Sequence, residues 1–135
     1  MSLFGALPIA TSGIDAMNTW IDTSAGNIAN IDDTASTSGQ AYQAQTPFLS
    51  PTPAAVIGGE GQGVTVGGEV LGPGGLVEHE PSHPLADAQG NVLVPNISLS
   101  DQLVGMMQAQ DGYQADASVI KEAKTAYQAG LSIGT

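Results

Sequence analysis

The residues with the strongest formal claim to chemistry are His79-Glu80-Pro81-Ser82-His83, which match H-E-x-x-H. In a zinc peptidase that spacing works on a helix, with both imidazoles on one face and the Glu beside the metal-bound water. Here Pro81 lies inside the motif, and Pro84 follows it and biases His83 toward extended backbone. The flanks are strand-like, no third ligand stands out, and the chain has no cysteine. The segment reads as an extended loop with two solvated histidines, holding no metal and no cofactor. Glu78 and Glu80 fall two apart, on one face of a strand. Paired carboxylates can do acid–base work, but exposed like charges on a strand are far commoner. Gly58–Gly63 has Val64 where a dinucleotide fingerprint needs its third glycine, and it lacks the lysine of a P-loop. Asn96-Ile97-Ser98 is a formal glycosylation sequon of little weight. No residue is assigned a catalytic role, and the chain reads as a non-enzyme.

The charge balance narrows the partners. Thirteen acids face two bases, Lys121 and Lys124, for a net charge of −11. Such a surface repels phosphate backbones and anionic lipid, which excludes nucleic acid as a partner. A salt-rich habitat is one reading of the acidity. No run of apolar residues is long enough to span a membrane. No Lys or Arg precedes Lys121, so the N-terminus has no positive region of a Sec signal peptide. A role outside the cytoplasm would then need an export route without a cleaved signal.

The elements that must position these residues divide into three segments. Residues 1–31 carry an N-terminal helix, expected from about Pro8 to Ile31. Ile14, Ile21 and Ile28 recur every seven residues, with Ala10, Met17, Ser24 and Ile31 between them, which is an a/d seam with one polar gap. Residues 32–97 are a Gly/Pro-rich, β-rich middle. Pro47, Pro51 and Pro53 exclude a long helix there, and Gly63–Leu71, Leu76–Glu80 and Asn91–Val94 read as short strands. Gly72-Pro73-Gly74-Gly75 reads as a turn between the first two. Residues 98–135 carry the C-terminal helix, expected over Ser98–Leu131. Its seven-residue stripe is Leu99, Met106, Tyr113, Ile120 and Tyr127, supported by Leu103, Ala117 and Leu131. Asn96, Ser98 or Ser100 can cap its start. The expected fold is α+β and mainly α, with long terminal helices pairing as a coiled coil and together forming one helical domain around the small β-rich middle. A two-helix hairpin buries one stripe per helix. Ala10, Trp20, Val104, Met107 and Val119 lie off or beside the seam, and packing against other copies would cover them.

Asn27 and Asn30 flank Ile28-Ala29 near the end of the first helix, where amides can cap the helix or bond a neighbouring backbone. Ser24-Ala25-Gly26-Asn27-Ile28-Ala29-Asn30 resembles the S-x-S-N-I-A-N signature of flagellar axial proteins, the family of rod, hook and hook-associated subunits, with Gly26 for the usual Ser. Gly39-Gln40-Ala41-Tyr42 followed by Phe48, the Pro81-Ser82-His83-Pro84-x-Ala86-Asp87-x-x-Gly90 loop, Val94-Pro95-Asn96 and Tyr113-Gln114-Ala115-Asp116 are similar to the proximal-rod branch of that family. The apparent zinc motif is then part of a family loop.

The resemblance implies a structural subunit of the bacterial flagellar basal body. Such a subunit leaves by the flagellar type III export apparatus without cleavage and polymerises in the periplasm. It passes torque from the membrane ring to the hook. Its partners would be other rod subunits and the membrane-ring base, met by protein–protein assembly. The residues expected at the assembly interface are Ile14, Met17, Ile21, Asn27, Ile28, Asn30, Leu99, Leu103, Met106, Tyr113, Ile120 and Tyr127. The terminal helices are expected to be partly disordered in the free chain and to fold on assembly.

Overall fold

A computed structural model of the chain describes residues 3–53 and 61–133. It has helices of 27 and 35 residues and four short strands, in the order α1 (Leu3–Ala29), β1 (Gln45–Pro51), β2 (Val64–Leu71), β3 (Leu76–His79), β4 (Asn91–Val94) and α2 (Leu99–Ile133). The fold is mixed α+β and roughly half helical.

Helix α1 begins before its expected start and runs through Pro8. Proline removes one intrahelical hydrogen bond, yet the helix runs on through it to Ala10, which is buried. Helix α2 starts where the polar residues predict. Ser98 Oγ accepts from the Asp101 backbone N–H at 3.3 Å, an N-cap with an acid in the first turn.

The two helices pack antiparallel. Gly13 faces Asp116, Gly112 faces the Met17 thioether, and Gly105 lies under the Trp20 indole and beside Ser24. Asn27 bonds Gln102 at the far end. Ala10, Ala16, Ala109 and Ala123 are buried among the helices. This seam is built from glycine, alanine and short polar groups, which let the backbones approach closely.

The expected seam of large residues is corrected here. On α2 the residues facing α1 include Gln102, Gly105, Ala109, Gly112, Asp116 and Ala123, each one position before the two expected stripes, through Leu99, Met106, Tyr113, Ile120 and Tyr127 and through Leu103, Ala117 and Leu131. Leu99, Leu103, Tyr113 and Tyr127 stay exposed. On α1, Met17 and Ser24 do face α2, but Gly13, Trp20 and Asn27 complete the row in place of Ile14, Ile21 and Ile28. The large apolar residues flank the seam because small ones fill it.

The middle forms two two-stranded antiparallel sheets. Strand β1 was not expected, and it pairs with β2 from Gln45↔Leu71 to Pro51↔Val64. Its prolines are tolerated because a two-stranded sheet leaves one edge of each strand unpaired. The register shifts at Phe48/Leu49, where Gly67 is the extra residue and Gly68 has φ 139°, a glycine bulge. Strands β3 and β4 form the second sheet, and Val92 within it is fully buried. Residues 72–75 therefore link two separate sheets and do not turn one hairpin. Gly75 lies so close to Ala41 and the Val94 carbonyl that a side chain there would clash with backbone. The polar stretch after α1 docks on β4 through paired Ala35–Leu93 backbone bonds of 2.8 and 2.9 Å. Of the glycine tract Gly58–Gly63, residues 58–60 lie outside the described residues.

Candidate assembly surface and the histidine loop

The histidine segment is a closed loop organised by Asp87. Asp87 Oδ1 accepts the backbone N–H groups of Gln89 and Asn91, each at 2.9 Å, and Oδ2 accepts the Thr37 hydroxyl at 3.0 Å. Its own N–H donates to the Asn91 carbonyl, and the Gly90 N–H donates to the Asp87 carbonyl. The Asn91 N–H above all, then the Gln89 N–H and the Thr37 hydroxyl, hold this carboxyl below its usual pKa. Gly90 has φ 79°, a conformation that suits glycine, and a side chain there would press on His79 and Pro81.

No helix forms over residues 79–83, and the two imidazoles serve the loop itself. His79 Nδ1 shares a 3.1 Å hydrogen bond with Asn91 Oδ1, and His83 Nδ1 accepts the Leu85 N–H at 3.2 Å. Among the described residues no group of three or more His, Asp or Glu is placed to hold a metal. Glu78 is exposed on β3, opposite Val92 of β4.

Asn27 is the polar centre of the molecule. It is 1% exposed, and every hydrogen-bonding position of its amide is used. Nδ2 donates to the Gln45 carbonyl at 2.7 Å and to Gln102 Oε1 at 2.9 Å. Oδ1 accepts the Gln45 N–H at 2.8 Å and the Tyr42 hydroxyl at 3.1 Å. One side chain thereby ties α1 to β1, to the preceding loop and to α2. Asn30 Nδ2 donates to the Gly26 carbonyl at 2.8 Å, closing the end of α1. Reading the sequence alone missed Gln45, Gln102 and Thr37. The signal for the first two was the buried amide itself, which needs partners.

The residues expected at an interface fall into two groups. Asn27 and Asn30 are engaged within the chain. Ile21 and Tyr113 line one groove beside Asn18, Gln110 and Gln114. Heptad spacing puts Ile14 and Ile28 of α1, and Met106 and Ile120 of α2, on the same flank, all partly exposed. Met17 lies in the seam, whereas Leu99, Leu103 and Tyr127 are solvent-facing. A cavity of about 310 Å³ between α1, β1 and α2 is lined by Trp20, Ser24, Gln45 and Gln102, and Asp101 is the one ionisable residue among the described residues that line it, so these assemble no nucleophile–base pair. No described helix is long and apolar enough to cross a membrane.

Two end helices fold together around small sheets, and large apolar residues are left outside. Residues 88–133 match the family model for the C-terminal region of flagellar basal body rod FlgEFG proteins. Among curated proteins it is 34% identical to the flagellar basal-body rod protein FlgC of Escherichia coli O6:H1 and 33% to that of Salmonella typhimurium, over 99% of both chains in each case. It is 29% identical to FlgC of Borreliella burgdorferi over 98% of both chains. The chain belongs to the FlgC family of flagellar basal-body rod proteins.

Proposed function

We propose that the chain is a structural subunit of the bacterial flagellar rod that acts by polymerising with other rod subunits. The observation that carries this reading is the apolar flank around Ile21 and Tyr113, left uncovered on a helix pair whose own seam is already filled. In the assembled rod the terminal helices act as coiled-coil elements, and that flank is buried against neighbours. Apolar burial contributes about 25 cal/mol per Å², offset in part by the entropy of ordering the helices. The rod spans the periplasm and carries torque from the membrane ring to the hook. The subunit reaches it through the type III export apparatus, uncleaved and partly unfolded. Its neighbours are other rod proteins and the ring base, and it performs no catalysis.

Asn27 and Asn30 act in this scheme by holding the helix pair in the geometry that presents the flank. Ile21→Asp is expected to leave expression and secretion intact while abolishing incorporation and motility. The measurement is immunoblotting of purified basal bodies beside a swimming assay. A variant that still enters rods and swims would remove this flank from the mechanism.

A further inference from the structure

The two flanks of the helix pair differ in charge. At 3.6 residues per turn, Lys124 falls on the flank that continues the Tyr113 groove, together with Ile120 and Leu131, and Lys121 stands at its outer edge. These two are the only lysines or arginines in the chain. The acids Asp101, Asp111 and Glu122 of α2 fall on the opposite flank or the back. Asp116 is turned into the seam against Gly13.

The opposite flank also has a receptacle. Ala6, Val119, Ala123 and Ala126 line an open, mainly apolar groove of about 500 Å³, with Glu122 and Ser118 at its rim. The groove exists because alanines occupy both helices at this level. In addition, α2 outruns α1. The antiparallel pairing sets Ala123 beside Ala6, so the last turns of α2 pass the described start of α1, and Leu131 and Ile133 there are 56% and 87% exposed.

We propose that copies of the chain join front to back, the flank bearing Lys121, Lys124 and Leu131 of one copy seating in the Glu122 groove of the next. This rests on the rod reading above. A second copy is the occupant because each chain carries both halves, a cationic apolar front and an acid-rimmed apolar hollow. Back-to-back pairing would set Glu122 against Glu122 in a chain already at −11. A front-to-back contact gives an open helical polymer wherever its rotation does not close a ring. Lys124 is placed to meet Glu122 of the neighbour, where opposite charges fix register.

The absence of cysteine makes the test direct. Lys124→Cys and Glu122→Cys are introduced singly and together in the full-length chain, and intact basal bodies are oxidised. The two positions point to opposite flanks, so they do not bridge within one helix. The double variant is expected to give a ladder of linked copies and each single variant none. In parallel, Lys124→Glu is expected to lower incorporation roughly tenfold, about 1.4 kcal/mol, and added Glu122→Lys to restore it. Dimers from a single variant would show a two-fold contact and overturn the proposal, as would cross-links to a different protein. Basal bodies that contain the chain but yield no ladder would overturn the front-to-back contact and leave rod membership standing. Basal bodies lacking the wild-type chain would overturn both.

Discussion

At the scale of single residues, Asn27 and Asp87 carry most of the specific polar structure. Truncating Asn27 strands a backbone carbonyl, a backbone N–H, a tyrosine hydroxyl and a glutamine at once. Asn27→Ala is expected to cost about 3 kcal/mol, read as a lowered urea midpoint with an unchanged slope. Asp87 gives a pH signature. Its carboxyl is held below the ordinary range by the Asn91 N–H and its other donors, so its contribution is complete above the unfolded carboxylate pKa of about 3.9. That contribution is lost as pH falls through the lower folded value. Amide resonances of Gln89 and Asn91 are expected to shift over this acidic interval, and Asp87→Asn to abolish the transition. The motif residues were legible in the sequence, but their partners were not. Gln45, Gln102 and Thr37 lie 18, 75 and 50 positions from the groups they bond, and no local pattern announces such pairings.

At the scale of elements, the helices were legible and their facing sides were not. Seven-residue recurrence of Ile, Leu, Met and Tyr marks two amphipathic helices, yet it selects large side chains. The helices meet instead through Gly13, Gly105, Gly112 and the buried alanines, one position round from the large residues. A glycine at close approach looks, in sequence, like a flaw in a helix. Gly112→Leu is expected to force Met17 and the α1 backbone away, lowering stability by about 2 kcal/mol despite leucine's better helix propensity. Circular dichroism during thermal unfolding measures this. Strands β2, β3 and β4 were found from their residues, whereas β1 was hidden by Pro47 and Pro51, which rule out helix but not an edge strand. Its partner across the bulge, β2, could not be chosen without the fold.

At the scale of the whole molecule, the dominant feature is unbalanced charge. With −11 spread over 135 residues, self-repulsion opposes the folded state at low ionic strength. Raising salt from about 0.01 M to about 0.15 M shortens the screening length from about 30 Å to about 8 Å. The thermal midpoint of the isolated chain is expected to rise over that range, read by circular dichroism with a neutral osmolyte as control. A midpoint indifferent to salt would detach the acidity from any adaptation to a saline habitat.

The pairing of the first helix with the last sets the order of events in time. The Asn27–Gln102 bond alone closes a loop across 75 positions, and the seam toward Ala6 and Ala123 spans more. Closing such loops is entropically costly and slow compared with forming a local turn. On the ribosome, or while threading any narrow conduit, α1 has no α2 to meet until Gln102 and the residues after it are free. The topology thus works as a timer: the chain stays pliable for as long as either end is held, and becomes a stiff unit only once both are released together.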